Sequence, residues 1–171
     1  VKASNFKIVG RVTSITNPAG GAAIPPAEVW VPEMAHTVKW NAAGTVSPVN
    51  LYYKTSSGGT WTLINGTPYV VTYTGSEGTY DWTLPQGVKT EAAYIMIEDN
   101  RYPGETNLAM TSAFRIRPTI VVDNPISTDK WTVGSTQTIK WTQTKGNAVT
   151  AVDLYYSTDG GNTYVPTPIT S

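Results

Sequence analysis

The sequence predicts an all-β protein built from antiparallel β-sandwich modules in tandem. Short runs rich in aromatic and β-branched residues are interrupted by Gly, Pro, Asn and Asp at intervals of about 8–12 residues, as in sandwiches. No segment sustains the periodicity of a helix. A Trp-to-Trp motif also occurs twice, as WVPEMAHTVKW at residues 30–40 and WTVGSTQTIKW at residues 131–141. A period of about 100 residues matches the length of one such module.

The repeat extends beyond the two tryptophans. Each copy continues into a Leu-Tyr-Tyr run and then into a Gly-Gly turn closed by an aromatic residue. These features are residues 51–53, 58–59 and 61 in the first copy, and residues 154–156, 160–161 and 164 in the second. The order of motifs is therefore the same in both copies, which indicates two modules of one kind.

Seven strands are predicted for the complete module. They are residues 12–15, 35–40, Val49–Lys54, 61–64, 80–84, 93–97 and 113–117. The first strand opens the module. In the second, His36, Val38 and Trp40 alternate with polar residues, which places them on one face. In the third, Leu51 and Tyr53 share a face and Tyr52 lies on the other.

The remaining four strands follow from the same kind of pattern. Residues 61–64 return as a hairpin partner of the third strand. Tyr80, Trp82 and Leu84 alternate along the fifth. Residues 93–97 are apolar at every position, which predicts a central strand covered on both faces. The last strand, residues 113–117, directs Phe114 and Ile116 inward.

The repeat divides the chain into three parts. Residues 11–118 form the complete module. Residues 1–10 are predicted to be the closing strand of a preceding module, because Asn5-Phe6-Lys7-Ile8 is similar to Ala113-Phe114-Arg115-Ile116. Residues 119–171 are predicted to be the first half of a following module. Its missing strands would come from continuation of the chain, which is the favoured alternative, or from neighbouring chains, since half a sandwich leaves strand edges exposed.

The amino-acid composition excludes several kinds of partner and site. Charged residues make up 14%, below the usual share of about 25%, and 12 Lys and Arg balance 12 Asp and Glu. Because no net positive field exists, nucleic acid is not an expected partner. The chain has no cysteine, which excludes disulfides and thiolate metal sites. No apolar run is long enough to predict a membrane span in this piece.

The motifs from Asn124-Pro125 through the second Trp pair to the Asp-Leu-Tyr-Tyr-Ser-Thr-Asp-Gly-Gly run resemble Ig-like modules of bacterial and archaeal surface proteins. Together with residues 78–85 and 112–116, they are also similar to the Ser/Thr-rich cell-wall Ig-like domain. The resemblance implies an Ig-like fold and a cell-surface, extracellular setting. Such modules occur in S-layer proteins, adhesins, sheaths, filaments and spacers of secreted hydrolases.

Residues 157–164 resemble an Asp-box, the S-x-D-x-G-x-T-aromatic hairpin turn. The resemblance implies structural roles for Asp159, Gly161, Thr163 and Tyr164. A carboxylate at the first of these positions accepts backbone N–H bonds, and glycine permits positive φ. In the first module Ser57 stands at the position of the aspartate.

Loop acids suggest one cofactor, calcium. Ca²⁺ is bound by about 6–8 oxygen ligands, which loops between sandwich domains can supply. The candidates are Asp99, Asn100 and Glu105 in the last long loop, with Asp123 and Asp129 near the module junction. Solvated loop acids without a metal are the competing interpretation.

Aromatic residues suggest a glycan-binding alternative. Six Trp and ten Tyr stand against two Phe, and Tyr52 and Tyr102 are the candidates for contact with a sugar ring. Core packing and cross-strand pairing explain most of these aromatics, including Trp40, Trp82, Trp131 and Trp141. Asn65-Gly66-Thr67 forms an N-glycosylation sequon on a turn.

Catalysis is not expected. His36 is the sole histidine, and no Gly-x-Ser-x-Gly elbow accompanies it. Glu98 and Asp99 are adjacent on a strand end, so their side chains point to opposite faces and do not form a catalytic carboxylate pair.

The expected function is a structural subunit of an S-layer, sheath or surface filament that associates with copies of itself. Lateral contacts are expected from the loops at residues 19–26 and 100–108. Alternatives are an adhesin or carbohydrate-binding module, with cell-wall or surface glycan as partner, and a spacer in a large secreted enzyme.

Overall fold

A computed structural model describes residues 6–21, 28–105, 108–110, 112–146, 149 and 151–169. Within these residues the chain is all-β and contains no helix. The strands are β1 (Arg11–Asn17), β2 (Val29–Trp30), β3 (Ala35–Ala43), β4 (Val49–Lys54), β5 (Thr62–Leu63), β6 (Glu77–Thr83), β7 (Thr90–Asp99), β8 (Leu108–Ala109), β9 (Phe114–Ile116), β10 (Thr119–Asn124) and β11 (Lys140–Lys145).

The strands form three sheets. One sheet has the order β1-β3-β6, and a second has the order β2-β9-β7-β4-β5, with β8 also paired to β7. All pairs in these two sheets are antiparallel except β2 with β9, which is parallel. Strands β10 and β11 form a separate antiparallel pair. The first two sheets together are consistent with a β-sandwich.

One apolar core joins the first two sheets. Val38 and Trp40 of β3 are fully buried, and so are Leu51 of β4, Ile95 of β7 and Phe114 of β9. The alternation predicted for β3 is confirmed at Val38 and Trp40, which are inaccessible while Thr37 and Lys39 between and beside them stay partly buried, whereas His36, predicted for the same inner face, is only partly buried. This period-two pattern is what turns one face of each strand toward the core.

Most predicted strands lie where expected, but their lengths differ. The bounds of β4 are those predicted, whereas β7 extends beyond residues 93–97 at both ends. Its polar ends, including Glu98 and Asp99, pair with Asn50 and Val49 of β4, so backbone hydrogen bonds continue the strand beyond the apolar run. Strand β2 was not predicted, because two residues are too few to show a period.

The described residues between 119 and 169 form less regular structure than the first two sheets. Beyond β10 and β11, backbone hydrogen bonds join Val165 to Tyr156 and Ile169 to Leu154. The side chains of Trp131 and Trp141, predicted to lie in or at the rim of a core, are each 41% exposed. Among the described residues no second sheet covers them.

Several predicted features fall partly outside the described residues. These are residues 1–5 of the predicted closing strand, residues 22–26 of the loop at 19–26 and residues 106–107 of the loop at 100–108. Of the predicted closing strand, residues 6–10 form no strand, and the side chains of Phe6 and Ile8 are 84% exposed.

Candidate functional site

An ion pair with a buried carboxylate joins the last residue of β7 to the loop that follows it. The side chain of Asp99 has no exposed surface. Its Oδ1 accepts hydrogen bonds from the backbone N–H and Nε of Arg101, both at 3.0 Å, and its Oδ2 accepts one from Nη2 at 2.7 Å. Arg101 also donates to the carbonyl of Thr45 at 2.6 Å, which ties this loop to the β3–β4 connection. Asp99 therefore holds the loop in place.

Glu98 anchors the same loop from the opposite face of β7. One carboxylate oxygen accepts the N–H of Gly104 at 2.7 Å, and the other accepts the hydroxyl of Tyr52 at 3.2 Å. Burial, followed by the charge of Glu98, raises the pKa of the Tyr52 hydroxyl above its usual value. The two adjacent acids thus have separate structural partners.

The structure does not bring the five predicted calcium ligands together. Asn100 accepts from Asn50, and Glu105 pairs with Lys7 at 2.8 Å. Further along the chain, Asp123 accepts from Thr142, and Asp129 accepts the N–H of Ile126. In the described part of the chain, no three His, Cys, Asp or Glu side chains form a group that could hold a metal ion. The calcium prediction gains no support from this geometry.

The two predicted glycan-contact tyrosines are engaged with protein groups. Tyr52 is half-buried and donates to Glu98. Over the ring of Tyr102, the ammonium of Lys7 lies 3.9 Å from the centroid and the guanidinium of Arg101 lies 5.5 Å away. Cations placed on an aromatic face in this way occupy the surface on which a sugar ring would stack.

The sequon asparagine is buried rather than presented on a turn. The side chain of Asn65 is 3% exposed. Its oxygen accepts the N–H of Leu51 at 2.7 Å, and its nitrogen donates to the carbonyls of Val49 and Thr67 at 2.9 and 3.0 Å. The folded chain therefore offers no accessible acceptor nitrogen at this position.

His36 has a packing role in this structure. Its ring stacks on Trp30 with centroids 4.6 Å apart and an interplanar angle of 6°. Its Nε2 lies 3.1 Å from the backbone nitrogen and 3.0 Å from the carbonyl oxygen of Val31. These contacts fasten the corner between β2 and β3.

The hairpin turn at residues 157–164 is organised by one carboxylate. Asp159 Oδ1 accepts the backbone N–H of Thr163 at 2.9 Å, and Oδ2 accepts the hydroxyl of Thr163 at 2.6 Å. Ser157 donates to Oδ1 at 2.7 Å and accepts the N–H of Gly161, whose φ is 90°. The side chain of Tyr164 is 61% exposed.

We expect the hydrogen bonds of this turn to lower the carboxyl pKa of Asp159, which a titration can measure. Hydrogen bonds from the Thr163 hydroxyl and N–H, and from Ser157, lower the pKa of Asp159 to about 2. Because the folded pKa is depressed, the turn's contribution to stability is present above pH about 3.9 and is lost as pH falls through about 2. Replacing Thr163 with valine removes one donor and should raise the pKa. Carboxyl NMR titration of both proteins measures it, and an unchanged pKa in the variant would contradict this assignment.

A pair of side-chain clamps recurs in the two copies of the repeat. Asn17 donates through Nδ2 to the carbonyl of Thr37, and Asn124 donates in the same way to Thr138. Both asparagines precede a cis proline and follow a shift in strand register. The Asn-Pro pairs at residues 17–18 and 124–125 can be read from the sequence. The partner carbonyls cannot, because Thr37 on β3 and Thr138 just before β11 are distant along the chain.

The packing of the tryptophan that ends each motif differs between the copies. In β1–β3 Ile15 pairs with Trp40, and in β10–β11 Val122 pairs with Trp141. Trp40 is fully buried, whereas Trp141 lines an open apolar cavity of about 610 Å³ together with Ile120, Val122, Val152, Leu154, Tyr155 and Tyr164. This apolar face of residues 119–169 corresponds by position to the inner face of the first sheet.

The chain matches no protein-family model and no curated protein. Among the residues that the structure describes, no helix has the length and apolar character needed to span a membrane.

Proposed function

We propose that this chain belongs to a structural, non-enzymatic protein of the cell surface, built of tandem Ig-like modules that assemble with copies of themselves. The supporting observation is the recurrence of one local structure. The Asn-to-Thr clamp, the register shift and the Trp pairing recur in β1–β3 and β10–β11. A strand pair that occurs twice with the same contacts is typical of a protein built from tandem modules.

The strand order supports the Ig-like part of the proposal. The order β1-β3-β6 corresponds to strands A, B and E of an Ig sandwich, and β9-β7-β4-β5 corresponds to G, F, C and C′. Strand β2 then takes the place of a first strand that switches sheets, since it runs parallel to β9.

A structural role agrees with how the polar side chains are used. The acids of the long loop and the candidate tyrosines contact other protein groups. These contacts stabilise loops, which agrees better with a structural role than with catalysis or sugar binding. The equal numbers of acidic and basic residues keep long-range repulsion between copies small. Neither observation favours the carbohydrate-binding alternative.

Electron microscopy of the purified protein tests the proposal. We expect an ordered lattice, sheath or filament with a regular repeat, as distinct from amorphous clumps. Monodisperse particles at every concentration tested would overturn self-assembly. Imaging in the presence of a calcium chelator is the companion experiment, because loss of order on chelation would assign the loop carboxylates to a metal site.

A further inference from the structure

The corner between β2 and β3 contains a residue in an unfavourable backbone conformation. Glu33 has φ of 61°, and it is the single non-glycine residue with positive φ in the described ranges. Side chains with a Cβ rarely occupy this left-handed region. The corner requires it, because the N–H of Glu33 donates to the carbonyl of Leu84 at 2.9 Å while Leu84 donates back to Met34.

The second copy of the repeat has a glycine at this corner. Counting from Trp30 and Trp131, Glu33 corresponds to Gly134, whose φ is 80°. Glycine adopts this conformation without steric cost. The first copy therefore carries a glutamate at a position where glycine suits the backbone better, and its side chain makes a contact that glycine cannot make.

The carboxylate of Glu33 binds the other side of the junction at residues 117–119. Its Oε2 accepts the backbone N–H of Gly146 at 2.8 Å. Gly146 directly follows β11 and has φ of 96°, and a Cβ there would lie 2.9 Å from Pro118 and 3.3 Å from Pro32. A side chain at residue 146 would therefore collide with Pro118, and the backbone N–H of Gly146 faces the Glu33 carboxylate.

A similar close contact occurs at the other end of the complete module. Gly44 follows β3 as Gly146 follows β11, and it also has a positive φ, of 73°. A Cβ on Gly44 would lie 3.2 Å from the Cα of Gly10, which precedes β1 as Pro118 precedes β10. The glycine after this strand therefore packs against the incoming linker in both copies.

We propose that Glu33 is a positioning residue that sets the orientation of residues 119–169 relative to the first two sheets. The carboxylate-to-Gly146 hydrogen bond offsets the backbone strain at Glu33 and restrains the Arg117-Pro118 linker. This inference rests on the tandem arrangement proposed above but not on self-assembly. A corner with glycine, as at Gly134, cannot make this contact, so module junctions formed by such a corner would lack this restraint.

Distance measurements in the full 171-residue chain test the proposal. The protein has no cysteine, so Lys89→Cys and Ser127→Cys introduce two exposed spin-label sites, one on each side of the junction. Pulsed electron paramagnetic resonance then gives the distribution of label distances. We expect a narrow distribution for the parent chain, and one at least about twofold broader for Glu33→Gly, because small interfaces leave neighbouring units free to move.

Two further variants separate the hydrogen bond from the backbone. Glu33→Asn also tolerates the left-handed conformation, but its side chain is one methylene shorter, so it should broaden the distribution as glycine does. Glu33→Gln keeps an acceptor oxygen at the same reach and should restore a narrow distribution. Thermal unfolding of each variant reports whether the first two sheets remain folded.

Label-distance distributions of equal width in the parent chain and Glu33→Gly, whether both narrow or both broad, would overturn the proposal. Failure of self-assembly has a different signature. It would show as monodisperse particles in micrographs while the label distances remained narrow. The two proposals can therefore fail independently.

Discussion

Replacing Trp40 with alanine should lower the free energy of unfolding of the first two sheets by about 3–5 kcal/mol. The side chain is fully buried, and its Nε1 donates to the Tyr73 hydroxyl at 3.3 Å. Gly78 packs so closely beneath the indole that a Cβ there would lie 2.6 Å from the ring. Removing the indole therefore also leaves Gly78 and the Tyr73 hydroxyl without the partner they pack against. Denaturant unfolding followed by circular dichroism measures the change.

The second copy of the repeat supplies the matched control. Trp141 occupies the corresponding position on β11, but its side chain is 41% exposed. Trp141→Ala should cost about 1 kcal/mol or less, because substitutions at exposed sites have small effects. Equal losses from the two variants would show that a partner covers the apolar face of residues 119–169 in solution. A dependence of the Trp141→Ala effect on protein concentration would identify that partner as a second copy.

Replacing Asp99 with asparagine should produce the second largest loss, about 2–3 kcal/mol. Removing one partner of a buried ion pair commonly costs about 3–5 kcal/mol, because the remaining charge is left uncompensated. Here the side chain of Arg101 is 38% exposed, so water compensates part of that loss. The control is Glu91→Gln, which breaks the exposed pair with Arg117 and should cost about 0.5 kcal/mol or less. Comparable losses for the two pairs would contradict a special role for Asp99.

The contribution of Asp99 should also depend on pH in a defined direction. Burial raises the pKa of its carboxyl, but the hydrogen bonds and charge of Arg101 outweigh burial and hold it below the usual value. A depressed folded pKa stabilises the protein above the unfolded pKa of about 3.9, and this stabilisation is lost as pH falls through the folded pKa. The stability difference between the parent chain and Asp99→Asn should therefore be full at pH 7 and shrink below pH about 4. Urea titrations across this range measure it, and a constant difference would exclude the carboxylate charge as its cause.

Local patterns carried most of the fold prediction because a strand's inward residues alternate in sequence. The alternation of Val38 and Trp40 identified β3, and the Leu-Tyr-Tyr run identified β4 with its observed bounds. The sequence did not predict strand β2, because two residues show no period and because β2 pairs with β9, which is distant in the chain. The polar ends of β7 escaped because their place in the strand depends on partners in β4.

The candidate sites were less predictable, because a side chain's role depends on what lies across from it. The sequence identified the loop acids, the tyrosines and the sequon as groups of interest. It did not show that Arg101 neutralises Asp99, that Lys7 lies over Tyr102, or that Asn65 is buried. Each partner comes from geometry created by the turn or by strand packing. Oxygen-rich loops therefore suggested a metal where the structure places hydrogen bonds within the protein.

By itself, the sequence determined the all-β class, the order of most strands and the existence of two copies of one motif, because these depend on residue type and spacing along the chain. The tertiary structure alone decided which equivalent residues share an environment. Trp40 and Trp141 have the same sequence context, yet the first is inaccessible and the second is exposed. Glu33 and Gly134 occupy equivalent corners of the two copies, yet only the glutamate has a side chain, and its carboxylate accepts the N–H of Gly146 across the junction. Burial and contacts between distant residues arise only when the sheets pack, and no local pattern encodes them.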